Sequence, residues 1–299
     1  MKVGLRVDVD TFQGTRLGVP KLCRILADYS IKGTFFFCVG PDNMGRHIWR
    51  LLRPSFLLKM LRTKAVSLYG WNILFKGTFW PGPVIGKKLG HIIVSTAKYG
   101  HEVGLHSWDH QAWQSRLDRI SSNEIYKWLE KGVVELTRIL GRAPLCSAVP
   151  AWKCNNSVLV EKNKFNFKYN SDCRGQSIFY PEVDGVILSQ AQIPVSLPTY
   201  DEVVGHAGIS DDNYNDYILS LLDPAKLNVL TIHAEVEGIA KYDLFVDFLE
   251  KAKSKGVLFV PLGELLIDSS IGHSSIVSKE ISGREGLVSC QDTKETNVE

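Results

Sequence analysis

VGLRVDVDTFQGTRLGVPKLCRILADYSIKGTFFFCV, residues 3 to 39, holds the pattern that decides the fold. VGLRV at 3 to 7 is an apolar run of strand length, GVPKLCRILADYS has the spacing of an amphipathic helix, and GTFFFCV at 33 to 39 is a second apolar run. The alternation continues outward from there. IIVSTAKYG ends a helix at Gly100 and EVGLH follows at 102 to 106. A long amphipathic stretch then runs from Ser121 to Leu140, with Ser122, Glu124 and Ile125 marking its start and Gly141 its stop. LCSAV (145 to 149), FKYNSD (167 to 172), GVILS (185 to 189), QIPVS (192 to 196), NVLTIH (228 to 233) and VLFVP (257 to 261) are further strand candidates. Helical segments around 156 to 164, 213 to 222 and 241 to 255 separate several of them. Such alternation predicts a mainly parallel α/β sheet, open or closed into a barrel. Barrels of that kind keep their active groups at the carboxyl ends of the strands.

Composition is that of an ordinary globular protein, 44% apolar and 22% charged, with enough apolar surface for a large core. The net charge of +3 conceals a regional imbalance. Between Asp42 and Glu102 there is no acidic residue, but there are ten Lys and Arg, so the rest of the chain carries −7. The six cysteines form no CxxC pair and are expected to be reduced, buried or incidental thiols. MKVGLRVDVD lacks the apolar core and cleavage site of a secretory signal, and no run of 18 apolar residues occurs, so a cytoplasmic address without a membrane span is expected.

The chemistry-bearing residues gather at predicted strand ends. Asp8 and Asp10 close the first strand with a spacing that places both carboxylates on one face. His106 and His110, in HSWDH, follow EVGLH, and His233 ends NVLTIH. Each element has an ordinary alternative: turn acceptors for the aspartates, a strand cap and a solvent-facing side chain for the histidine pair, a satisfied core histidine for His233. Their joint arrival at strand ends favours a site. HEVGLH at 101 to 106 is not the zinc-protease pattern, since its histidines are five apart and diverge on a helix. A histidine pair four apart on a helix or tight turn can reach one metal ion.

Asp-x-Asp ending the first strand, His-Ser-x-x-His after GHEVG, Arg-x-Pro at Arg142 to Pro144, and a late Thr-Ile-His together resemble the NodB-type polysaccharide deacetylases, over residues 3 to about 265. The flanking text GLRVDVDTFQGT, YNSDCRG, DEVVG and TIHAEVEG is similar to a bacterial branch of that superfamily. That branch removes the formyl group from an undecaprenyl-phosphate-linked 4-formamido sugar, for lipid A modification and polymyxin resistance. The resemblance implies a deformed (β/α) barrel, a metal held by Asp10, His106 and His110, Asp8 as base and His233 as acid. It also places Arg142 where the family keeps an arginine that orients the base. Val9 separates the two aspartates where the commoner family form has them adjacent, which touches the division between base and ligand. Trp152, Asp172 and Arg174 are further substrate or orienting candidates near strand ends, Asp172 and Arg174 being equally readable as a structural ion pair. Glu235 and Glu237 are candidates to orient His233 or grip substrate. The metal is open among zinc, manganese, cobalt and iron.

Residues 1 to 265 thus form the expected deacetylase or deformylase domain, with an insertion at about 43 to 98 after the second strand and a polar tail, 266 to 299, expected to be disordered. IWRLLRPSFLLKMLR (48 to 62), inside the insertion, mixes leucines and aromatics with arginines in the manner of an interfacial helix. A nucleic-acid groove would carry fewer Leu, Ile and Phe, and a lid packed on the barrel is the other reading. The expected partners are an undecaprenyl-phosphate glycolipid and the anionic cytoplasmic face of the inner membrane, with no nucleic acid. An N-deacetylase of another glycan, and a non-catalytic glycolipid-binding module, stand as alternatives.

Overall fold

The computed structural model describes residues 1–46, 82–267 and 271–293. The strands are β1 (Lys2–Val9), β2 (Thr34–Cys38), β3 (Glu102–Ser107), β4 (Cys146–Ser147), β5 (Tyr169–Asn170), β6 (Phe179–Val183), β7 (Val186–Ile187), β8 (Ala191–Gln192), β9 (Val229–His233), β10 (Leu258–Val260), β11 (Gly272–Ser274), β12 (Ile276–Glu280) and β13 (Leu287–Gln291). The main sheet runs β10-β1-β2-β3-β4-β5-β8-β6-β11, with β9 also on β1. Pairing is parallel from β9 and β10 through β1 to β8 and antiparallel where β6 joins β8. Beyond β8 the chain curls back to the far edge, where the Leu197 N–H donates to Val229 O (3.1 Å) and the Val229 N–H to Ser196 Oγ (2.9 Å). The result is a deformed (β/α) barrel, drawn together by a loop where a regular barrel would have a strand.

β1 shows how sequence period becomes layer. Val3, Leu5, Val7 and Val9 are all fully buried and pack in one cluster with Leu22 and Leu26 of helix Val19–Asp28 and Phe245 and Phe248 of helix Tyr242–Ser254. The alternate residues face the barrel interior, where the Arg6 guanidinium lies over the rings of Phe36 and Trp152. Each fully buried aliphatic side chain contributes roughly 1.5–3 kcal/mol, so the valines and leucines fix which face of β1 is outward. That leaves the interior face to Arg6, Asp8 and, by the same period, Asp10.

The helix Ser122–Leu140 begins with a reciprocal cap, Glu124 N–H to Ser121 Oγ (3.3 Å) and Ser121 N–H to Glu124 Oε2 (3.5 Å), and ends at Gly141 in the left-handed conformation (φ 71°). No helix among the described residues is long and apolar enough to cross a membrane. All six cysteines are buried and unpaired.

Two expectations change. GVILS supplies only β7, whose Val186 and Ile187 are exposed, and FYPEV, which its proline disguises, supplies β6 instead. The tail expected to be disordered forms β11, parallel to β6, and the antiparallel hairpin β12–β13. Its ordering comes from Val288 and Cys290, buried in a core cluster with Ile193 and Leu262, and from polar anchors. Ser289 Oγ accepts from Cys154 N–H (3.0 Å) and donates to Cys154 O (2.6 Å), and Gln291 Oε1 accepts from the N–H groups of Gln176 and Ser177. Residues 47–81, the centre of the basic aromatic insertion with its interfacial-helix candidate, lie outside the described residues.

Candidate metal centre

β1 ends at Val9, and Asp10 follows immediately at its carboxyl end. β3 ends at Ser107, so His106 projects from the strand itself while His110 starts the helix His110–Arg116. Asp109 makes that handover: its Oδ1 caps the helix by accepting from Ala112 N–H (2.9 Å), and its Oδ2 accepts from Asn43 Nδ2 (2.6 Å). Gly40 permits the approach, since a Cβ there would stand 2.0 Å from Trp108 O. The four-residue spacing of the histidines therefore spans a strand end and a helix start, and their rings come within 5.6 Å.

Ligand atoms of Asp10, His106 and His110 all lie within 4.8 Å of one another, and the three residues are buried. His106 Nε2 is 3.2 Å from Asp10 Oδ1 and His110 Nε2 is 3.3 Å from Asp10 Oδ2. Asp10 Oδ1 and both histidine Nδ1 atoms nevertheless have no hydrogen-bond partner. Buried polar atoms are seldom left so. Two imidazoles and a carboxylate converging on one point, with an oxygen orphaned there, fit a divalent cation with open coordination positions. Burial pushes the Asp10 carboxyl up, but the adjacent imidazoles, His110 foremost, outweigh it and hold it well below the usual range. Burial disfavours protonated His110, but Asp10 outweighs that and raises its pKa.

Asp8 and His233 are register partners on the parallel strands β1 and β9, and so stand side by side on one face. Asp8 is clamped by Arg6 through two parallel bonds, Nε to Oδ1 (2.7 Å) and Nη2 to Oδ2 (2.8 Å). Arg6 is itself fixed by Ser171, donating from Nη1 to its carbonyl O (2.5 Å) and Oγ (3.1 Å). Burial pushes Asp8 up, and Arg6, with His106 and His233, more than offsets it, so Asp8 stays ionised. Burial likewise works against charging His233. The carboxylates of Asp10, Asp8, Asp201 and Glu237 prevail and raise its pKa, which suits a proton donor.

The remaining candidates sort by contact. Arg142 is exposed in the turn leading into β4, at the amino end of that strand, and makes no contact with Asp8. The arginine that holds Asp8 is Arg6, two residues before it on the same strand face. Asp172 is paired with Lys162 (2.6 Å) inside the protein, with Gln192 Nε2 on its other oxygen (3.0 Å). Arg174 binds both oxygens of Glu202 (2.9 and 3.0 Å) and the carbonyls of Val195 and Leu197. Both are structural pairs, though not with each other. Trp152, in a left-handed backbone conformation (φ 49°), stacks against Arg6 (5.3 Å), Arg174 (5.0 Å) and Arg284 (4.2 Å), linking the Arg6–Asp8 clamp to the turn of the C-terminal hairpin. Glu237 Oε2 accepts the His233 backbone N–H (2.8 Å), and burial pushes its carboxyl up to about 7. Glu235 turns away from His233 to the backbone of Asp10 and Thr11. Asp109, Asn43 and Arg6 escaped the sequence reading, although an arginine two residues before an aspartate on a buried strand is a visible signal for the last.

Residues 7–170 match the family model described as polysaccharide deacetylase. The protein from Shewanella sediminis (strain HAW-EB3) named "Probable 4-deoxy-4-formamido-L-arabinose-phosphoundecaprenol deformylase ArnD" is 54% identical over 292 residues, 97% of this chain and 94% of its own. A protein of the same name from Wigglesworthia glossinidia brevipalpis is 43% identical over 282 residues, 93% of this chain and 98% of its own. Among solved structures, a family 4 acetyl xylan esterase from Clostridium thermocellum in complex with a cobalt ion shares the fold, with a TM-score of 0.51 and 14% identity over 89% of this chain and 90% of that one. The chain belongs to the polysaccharide deacetylase family, on the branch that holds the ArnD relatives.

Proposed function

We propose that this protein hydrolyses the formamide of 4-deoxy-4-formamido-L-arabinose carried on undecaprenyl phosphate, releasing formate and the free amino sugar used to modify lipid A. The observation that carries the reading is the register pairing of Asp8 with His233 beside the convergent trio Asp10, His106 and His110. The names of the 54% and 43% identical relatives supply the substrate. A divalent ion held by the trio supplies Lewis acidity, lowering the pKa of water and polarising the formyl carbonyl. Asp8, held ionised and fixed in angle by Arg6, takes the proton from the attacking water. His233 delivers a proton to the leaving nitrogen as the C–N bond breaks. Its proximity to two buried aspartates favours the protonated form before that step and offsets the cost of burying the charge.

The same reading places the protein peripherally on the cytoplasmic face of the inner membrane, with the basic aromatic insertion on the headgroups. Each Lys or Arg near an anionic surface contributes roughly 1 kcal/mol, and ten of them lie between Asp42 and Glu102. Co-sedimentation with liposomes that requires anionic lipid and weakens at high salt supports this, whereas no binding leaves the insertion as a lid.

Mass spectrometry of the formylated lipid incubated with wild-type protein, with chelator-treated protein, and with Asp8→Ala and His233→Ala tests the activity. Release of the amine by wild type alone is expected, with the N-acetyl analogue a poor substrate. Undiminished turnover in either variant removes the assignment, and preference for the acetyl analogue replaces deformylation by deacetylation.

A further inference from the structure

Beneath the metal ligands, two short turns meet. Past its end β1 enters a π-helical turn, Gly14–Gly18, and past its end β9 enters another, Val236–Ala240. Such turns are rare and recur at functional sites. They pack through glycines: a Cβ on Gly18 would lie 2.0 Å from Ala234 O, and one on Gly238 would lie 2.8 Å from Gly18 Cα. A Cβ on Gly14 would lie 2.0 Å from Glu235 Oε1. The glycines therefore open the space that Glu235 fills, and the residue is 3% exposed.

Within that space a single oxygen gathers three donors. Glu235 Oε1 accepts from Thr11 Oγ1 (2.7 Å), Thr11 N–H (2.9 Å) and Asp10 N–H (3.2 Å). Thr11 Oγ1 in turn accepts from Gly14 N–H (2.9 Å), and Asp42 Oδ2 accepts from Phe12 N–H (2.9 Å). The backbone leaving β1 is thus fixed residue by residue, and its first two N–H groups, including that of Asp10, depend on one side chain just past β9. We infer that Glu235 is a positioning residue for Asp10, setting through the backbone the place at which its carboxylate meets His106 and His110. This rests on the trio being a metal site. Asp10 is the one ligand of the three that lies outside regular secondary structure, so it has no strand or helix to hold it. Partners of metal ligands typically govern affinity by 10–100-fold when removed.

The test compares wild type, Glu235→Gln and Glu235→Ala in competition of Zn²⁺ and Mn²⁺ against a fluorescent chelator, with thermal unfolding of each metal-free protein recorded alongside. An amide oxygen accepts the same three bonds without a charge. Affinity is therefore expected to fall about 10–100-fold in Glu235→Ala and to stay within a few-fold of wild type in Glu235→Gln. Wild-type affinity in Glu235→Ala overturns the inference. An equal loss in both variants does so too, because it assigns the effect to charge. Should Glu235→Ala fail to fold, Thr11→Val replaces it: removal of one donor and of the Gly14 acceptor is expected to weaken affinity, and an unchanged value overturns the inference. Failure of the wild-type protein to bind either ion refutes the metal reading itself, a separate result.

Discussion

Replacing Arg6 by Met tests the clamp on Asp8 most directly. The guanidinium is wholly buried, makes two bonds to Asp8 at 2.7 and 2.8 Å, and lies against the rings of Phe36 and Trp152. Methionine keeps much of the stem's apolar contact and removes the charge. Two unit charges about 4 Å apart attract by about 4 kcal/mol at an effective dielectric constant near 20. Stripping one partner from a buried pair typically costs about 3–5 kcal/mol, because the other is left charged and unpaired. Against a total stability of roughly 5–15 kcal/mol, Arg6→Met should show a large drop in urea midpoint. The added Asp8→Asn change removes the stranded charge and should restore most of the loss. Arg6→Lys keeps the charge but cannot present a fork to Asp8 while also reaching Ser171, so it should fold and yet turn over substrate slowly. The assay is urea unfolding of the four proteins of the cycle by circular dichroism, with turnover of Arg6→Lys at saturating metal. Equal midpoints for Arg6→Met and wild type, or no recovery in the double variant, would refute the account of Asp8 as a carboxylate held by one arginine.

Other outcomes follow from features away from the trio. Burial holds His101 at about 4, against an ordinary 6.5, so it is neutral in the folded protein. The unfolded chain therefore binds the extra proton between those values, and stability from this residue is intact above pH 6.5 and lost as pH falls towards 4, by up to about 3 kcal/mol. His101→Asn should flatten that part of a stability-against-pH curve, and curves that stay parallel to wild type would contradict it. Gly18→Ala pushes a methyl group against the Ala234 carbonyl, which is backbone and must move. A loss of about 1–3 kcal/mol is expected, as for other overpacked sites, and a thermal midpoint equal to wild type would show that the two turns separate freely.

The strand-end residues were legible because period 2 on a strand is rigid. Once Val3, Leu5, Val7 and Val9 are assigned outward, Asp8 and Asp10 have only the interior left. The same period contains Arg6, whereas the Arg-x-Pro motif at Arg142 marks an arginine that is exposed. Glu235 was visible as an orienting group, but not its target, because that depends on two turns meeting across a register of parallel strands about 225 residues apart in sequence. The C-terminal hairpin escaped for a different reason. Only Val288 and Cys290 of β13 bury apolar surface, and the other inward anchors, Ser289 and Gln291, hold by hydrogen bonds to Cys154, Gln176 and Ser177 that leave no trace in hydropathy. Asp109 was in plain sight between the histidines, and only the helix start at His110 gives it a task.

The pairing of β1 with β9 bears on how the chain is made. A ribosome adding about 5–20 residues per second needs roughly 10–45 seconds to travel from Gly4 to its eventual neighbour Val229. Throughout that interval the emerging polypeptide carries an apolar strand with one edge unclaimed, so a holdase acting on the first forty residues should raise the yield of soluble protein more than one acting later.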